Sequence, residues 1–560
     1  MKIYFWLPIV IFWACHPAQR PDLILYNGNI HTMVSPSDRV SAIGIQNGKI
    51  IATGNDLQVL QLKTPMTQLI DLHQAFVLPG FTDAHIHPIS GGLALLECNL
   101  TDLTSRNEIL DSLKNYAIHH PEKEWIRGEN MWLAAFPRGN ALALSLDSII
   151  PDRPVYISSS DGHNAWVNTK ALQMAYLSRE TPDPEHGRIE RDAQGNPSGT
   201  LRESAMNLVR QHLPAYSDKD RRQALLTAIQ QANQFGLTSL NEANAHPDDV
   251  RTYLELAKEN KLNAHINISL ACDISKGLPE AQRVISLRDS LKAVHTDVYT
   301  NEVKLFMDGV VEGKTAAMLA NYSDDHQKGI ANASADMASN IIMTLDRAGL
   351  QVHVHSIGDR ATRMTLDAFE YALSVNGKRD SRHHIAHLHV VDPADYDRFR
   401  TLNVIANFQS LWATWEDTYM TELNKPFLGK ERMELQYPMG TLLRHGATLA
   451  FGSDWDVSTQ NPFMAMQVAV TRRGPDSMVR SAWTPQHLID RYNVIKGYTR
   501  NGAYLTFREK ETGTIEKGKW ADILVLDQDI LHTDVFKIYK TKVLTTYYKG
   551  QIVYEYLQSH

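Results

Sequence analysis

Four histidines, a lysine and an aspartate form the constellation in this 560-residue chain that could do chemistry. His85 and His87 close the apolar run Leu78-Pro79-Gly80-Phe81-Thr82-Asp83-Ala84-His85-Ile86-His87-Pro88. Residues two apart on a β-strand point to the same face, so both imidazoles can converge on one metal ion. A single His-x-His is weak by itself, because ordinary polar residues at a strand end read the same way. Lys304, His355, His387 and Asp454 each stand at or near the end of a further strand-like run. Imidazole and carboxylate are ligands for divalent metals, and four histidines, one carboxylate and a lysine gathered at strand ends can surround two adjacent ions. Spacing leaves two choices open: His353 shares a face with His355, and His389 shares one with His387. Asp454 could also serve as a helix cap in Ser453-Asp454. Lys304 sits between Val303 and Leu305-Phe306, a setting that speaks against an ordinary surface lysine.

The elements that must position these groups recur along the chain. Strand-like runs occur at Phe76 to His87, Leu237 to Glu242, Asn263 to Ala271, Glu302 to Asp308, Gln351 to Ile357, His384 to Val391, Val404 to Gln409 and Thr448 to Asp454. Amphipathic helices lie between them, for example Asp218 to Phe235 and Ala361 to Val375. Eight alternating βα units imply an α/β fold, a closed (β/α)8 TIM barrel with function at the C-terminal strand ends. Both chain ends instead carry short strands with Asn-Gly or Lys-Gly turns, which predicts a small β-sandwich domain from residues 22–76 plus 508–560. The barrel would then span 77–507. Roughly 150 residues separate the first two barrel strands, far more than a βα loop needs. Residues 99–215 are therefore expected to form an inserted subdomain near the barrel mouth.

A net charge of −7, 43% hydrophobic and 21% charged residues describe an ordinary globular protein with no basic face for nucleic acid. Met1-Lys2, the apolar run to Ala14 and then Cys15 resemble a bacterial lipoprotein signal: residues 1–14 as signal peptide, Cys15 as the acylated N-terminus and 15–21 as a tether. The expected location is the periplasm or a lipid-anchored position on a membrane, with that anchor as the sole membrane contact. Cys98 and Cys272 read as buried thiols. A homo-oligomer is compatible with all of this.

The motifs LPGFTDAHIHP at 78, DGHNAWVNTKAL at 161, VKLFMDG at 303, VHSIGDRA at 354, RHHIAHLHVV at 382, LAFGSDWDV at 449 and GTIEKGKWADILVLD at 513 resemble the amidohydrolase superfamily. Within it they resemble the amidohydrolase family 3 branch, which includes N-substituted formamide deformylases. The resemblance implies two Zn2+ ions, with His85 and His87 on the more buried one and His355 and His387 on the more exposed one. Lys304 would be carboxylated and bridge both, and Asp454 would bind metal and serve as the base that moves a water proton. His163 and Asp161 match a motif expected at the substrate end of the pocket, and an internal salt bridge is expected of Arg202-Glu203. Strand six departs from the family pattern, because Ala386 stands where a carboxylate is usual. Trp166, Trp412 and Trp415 are candidates for an apolar pocket wall. His73 and His445 have no evident partners. The implied reaction is hydrolysis of a C–N bond in a small amide, formamide or cyclic amide. A mononuclear zinc deaminase and a catalytically silent, surface-anchored binding protein are the competing readings.

Overall fold

The computed structural model describes residues 20–101, 103–291, 297–415, 420–475 and 481–556. The signal segment and Cys15 lie outside the described residues. Among the described residues, no helix is long and apolar enough to cross a membrane.

Eight parallel strands form the barrel: Phe81–Ile86, Leu237–Ala245, His265–Ala271, Val298–Phe306, Gln351–Ser356, His384–His387, Ile405–Phe408 and Leu449–Phe451. They neighbour one another in chain order. The first, fifth, sixth, seventh and eighth strands are buried at every residue, as expected for a parallel sheet wrapped by helices. Those helices follow the sequence pattern. Asp218–Gln234 is started by a capping box between Ser217 and Asp220, and it buries Leu225, Ala228, Ile229 and Ala232 against the barrel.

The seam between the eighth and first strands is tied by Asp83. Its Oδ1 accepts from the amide of Ser453 at 2.9 Å and from that of His85 at 3.1 Å. The Asp454 amide donates to the His85 carbonyl at 2.7 Å. Gly452 permits this approach, since a Cβ there would lie 2.5 Å from the His85 nitrogen. Strands one and eight are thereby locked together at the point where both deliver a site residue.

The run expected as one strand from Phe76 to His87 serves two sheets. Phe76–Pro79 pairs with Ile523–Leu526 and with Asn29–His31 in a six-stranded sheet, and only Phe81–Ile86 joins the barrel. The barrel therefore begins after Gly80, not at residue 77. A side chain at Gly80 would meet Thr238 Oγ1 at 2.1 Å, so the crossover needs glycine there. The six-stranded sheet faces a four-stranded one that contains Leu23–Tyr26 and Ala42–Gln46. Leu25, Ile43 and Ile45 pack between them against Val77, Ile523 and Val525, which makes the sandwich from both chain ends.

Between the first two barrel strands the chain forms a separate sheet, whose strands include Ile126–Met131, Val155–Ser159, Asn164–Val167 and Pro197–Glu203. Cys98 and Cys272 are buried free thiols.

Sandwich and barrel are joined by a buried ion pair, His265 Nε2 to Asp522 Oδ2 at 2.9 Å. Burial would raise the Asp522 carboxyl, but the charge and hydrogen bond of His265 hold it below its ordinary value. A depressed carboxyl stabilises the fold above its unfolded pKa, and that contribution is lost as pH falls through the folded value. Asp522→Ala is expected to cost about 3–5 kcal/mol near pH 7, because it leaves His265 buried without its partner. Denaturant titrations should show the deficit shrinking below about pH 4.

Candidate metal centre

Asp454 is the hub of the site. Its Oδ1 lies 3.2 Å from His85 Nε2 and 3.1 Å from His87 Nε2, and its Oδ2 lies 3.8 Å from His387 Nδ1. Ligand atoms of His85, His387 and Asp454 all fall within 4.8 Å of one another. Lys304 is 1% exposed, with Nζ 3.5 Å from His85 Nε2. His355 stands beside this group: its ring centre is 4.5 Å from that of His387, while its Nε2 lies 3.2 Å from the Gly309 carbonyl. Donation to that carbonyl leaves Nδ1 of His355 as the ring's acceptor.

The surroundings charge and discharge these groups in a consistent way. Burial lowers Lys304 to about 7, so it is available as a free amine near neutral pH. Burial would raise Asp454, but His85 and His87 carry it well below the ordinary carboxylate value. His87 is desolvated yet raised to about 10 by Asp454 and Glu242, whose Oε1 is 3.6 Å from His87 Nδ1. Tyr253 donates to the other Glu242 oxygen at 2.8 Å and holds it in place.

The donor set fits a divalent cation. Two imidazole nitrogens converge on one carboxylate oxygen, and His387 Nδ1 is buried with no hydrogen-bond partner. Burying such an atom is costly unless something coordinates it. The backbone is also held in a sparsely populated region here, with φ of 79° at His387, 51° at Leu388 and 52° at Asp454. Left-handed non-glycine residues cost about 1–3 kcal/mol each and cluster at functional sites.

The turn at His387 separates the two candidate histidines of strand six. It swings His389 away, to within 3.2 Å of the Tyr437 hydroxyl, and leaves His387 facing Asp454. The two candidates of strand five differ in height: His353 lies one layer deeper than His355, with Nε2 2.9 Å from His85 Nδ1.

Above the cluster is a cavity of about 850 Å³, within the range of small-molecule sites. The insertion supplies one wall and presents His163. Glu203 Oε2 lies 2.8 Å from His163 Nδ1, and the Thr315 hydroxyl donates to Oε1 of the same carboxylate at 2.5 Å. Desolvation would lower His163, but Glu203 raises it to about 9. Asp161 also lines the cavity, yet its carboxylate is taken up by Ser159, Asn164 and the His163 amide. It shapes the turn that presents His163, where direct substrate contact was expected. Arg202 does not pair with Glu203; it reaches Glu190 at 2.5 Å and Asn164 at 2.5 Å.

Of the tryptophans, Trp412 lines the cavity and stacks on His387 with ring centres 5.6 Å apart. Trp166 is wholly buried against Phe136, and Trp415 packs beside Trp483. Trp132 and Glu242 line the cavity and Glu203 holds His163, and no sequence signal marks any of the three for the site. His445 has a partner after all, Asp397 at 3.0 Å, and His73 lies 3.5 Å from Asp71.

The profile described as amidohydrolase family matches residues 68–554. A Bacillus subtilis protein named as an amidohydrolase, YtcJ, is 30% identical over 539 residues, covering 95% of this chain and 99% of that protein. The N-substituted formamide deformylase of Arthrobacter pascens is 24% identical, covering 96% and 99% respectively. The fold is that of a metal-dependent hydrolase from Pyrococcus furiosus, with a TM-score of 0.69 at 24% identity over 91% of this chain and 99% of that one. With a profile match across most of its length and a site at the C-terminal mouth of the barrel, the chain belongs to the amidohydrolase family, hydrolases of carbon–nitrogen bonds.

Proposed function

We propose that this chain hydrolyses small N-substituted amides, formamides foremost, at a two-zinc site formed by His85, His87, Lys304, His355, His387 and Asp454. The observation that carries this reading is the convergence of His85, His87 and His387 on Asp454 beneath the cavity. Zinc held there would polarise the scissile carbonyl and make water nucleophilic near neutral pH.

The chain's own groups do the rest. Lys304, a buried amine lowered to about 7, adds to carbon dioxide and loses a proton to give a carbamate. That converts a would-be ammonium, repelled by two cations, into an anionic ligand. Asp454 takes the proton of the attacking water and returns it to the leaving amine. His163, held by Glu203 on the insertion side, offers its remaining N–H to the carbonyl oxygen as negative charge develops there. Trp412, Leu411, Phe306, Val310 and Ile357 give the cavity an apolar wall that suits an N-alkyl or N-aryl substituent and keeps water out. The same proposal assigns the activity to the cell envelope, supported by the signal-like residues 1–15.

Purified chain loaded with zinc should release formate from a panel of N-alkyl and N-aryl formamides. Chelation should abolish the release, and added zinc should restore it. Hydrolysis that survives removal of all metal, or a fully loaded chain inert on formamides and acetamides alike, would contradict the reading.

A further inference from the structure

Beneath the candidate metal centre lies a second buried cluster: Glu302, His353 and His384. Its composition resembles a metal site, yet its hydrogen bonding argues otherwise. Glu302 Oε1 accepts from Asn241 Nδ2 at 3.1 Å, from the Ser269 hydroxyl and from His353 Nδ1 at 3.1 Å. Its Oε2 accepts from Asn267 Nδ2 at 2.9 Å. His384 Nε2 stands 3.2 Å from Oε1 as well. A carboxylate offers about four acceptor positions, and here they are met by donors from four neighbouring residues. The cluster is a hydrogen-bonded anchor, set below the floor of the cavity.

The consequence runs upward through the rings. An ionised carboxylate only accepts, so Glu302 requires the proton of His353 to sit on Nδ1. Neutral His353 then has a bare Nε2, which faces His85 Nδ1 at 2.9 Å and must accept from it. With its proton on Nδ1, His85 turns a bare Nε2 toward Asp454 Oδ1, 3.2 Å away, so in the metal-loaded form the hydrogen bond to that oxygen falls to His87, at 3.1 Å, and the His85 lone pair is left for a metal. The opposite tautomer of His85 would put N–H where a ligand lone pair is needed. The ring of His85 crosses that of His353 at 84° with centres 4.7 Å apart, so the contact also fixes its orientation.

We propose that Glu302 and His353 are positioning residues that set the tautomer and angle of His85 and thereby its strength as a metal ligand. The inference rests on the zinc-site reading above and deepens it. Hydrogen-bond partners of metal-binding histidines tune affinity by about 10–100-fold when removed. Neither residue touches the cavity, so substrate binding should be spared.

The test is zinc affinity, measured by competition with a chelator of known affinity, together with the visible absorption of the Co2+-loaded protein. His353→Leu should bind zinc about 10–100-fold more weakly, with an altered Co2+ spectrum and lowered kcat at little-changed KM. His353→Gln should largely rescue, because its amide can donate to Glu302 and accept from His85. If His353→Leu does not fold, Glu302→Gln serves instead: it keeps size and shape but presents an NH2 that no longer demands the same tautomer, and it should weaken zinc as well. Parent-like zinc affinity in His353→Leu or in Glu302→Gln overturns the proposal. A parent chain that binds no zinc overturns the zinc-site reading itself, and this inference with it.

Discussion

Replacing Asp454 by asparagine should lower kcat on a formamide substrate by about a thousand-fold, the scale of a positioned general base. The side chain keeps its size, so the backbone turn at φ 52° and the hydrogen bond from the residue-454 amide to the His85 carbonyl should persist. The lost element is the anion that His85 and His87 hold far below its ordinary pKa. The remaining ligands on four other strands should retain zinc, so the defect belongs to proton transfer more than to loading. Single-turnover kinetics with matched zinc content would check this. Near-full turnover at full loading would remove Asp454 as the base.

The second large effect is expected at Lys304. Lys304→Ala deletes an amine that is 1% exposed and faces His85 at 3.5 Å. If that amine becomes the carbamate between two ions, its loss should reduce bound zinc and cost about 4 kcal/mol of transition-state stabilisation, or about a thousand-fold in rate. Removing carbon dioxide during metal loading should reproduce part of the defect in the parent, and bicarbonate should reverse it. Lys304→Ala should not respond to bicarbonate. A variant with parent-like zinc content and rate would assign Lys304 to packing.

Much of this site is written in strand periodicity. His85 and His87 fall two apart on a strand, and Lys304, His355, His387 and Asp454 each end or follow one. A barrel collects such ends at one mouth. Periodicity gives the face of a strand but neither its height nor its stopping point. His353 and His355 share a face, and only the register against Lys304 and His384 places His353 a layer lower, against His85. The run expected to continue to Val391 stops at His387 because two successive residues take positive φ, which no glycine announces. The Phe76 to His87 run hides a change of sheet at Gly80, since both halves read as extended chain and both are buried throughout. Arg202 and Glu203 were legible as charged partners, but strand neighbours point to opposite faces. Arg202 thus anchors the insertion through Glu190, while Glu203 reaches across to His163 and Thr315. The Glu302 anchor was silent because its donors, Asn241, Asn267, Ser269 and His353, come from three separate strands.

The measurement that bears most directly on the central claim is zinc per chain by elemental analysis, on the parent protein prepared with zinc and bicarbonate. The two-ion site built on His85, His87, Lys304, His355, His387 and Asp454 predicts two zinc ions, released together with activity on chelation. One zinc per chain, with full activity and no response to bicarbonate, would contradict a lysine-bridged pair and favour a mononuclear enzyme.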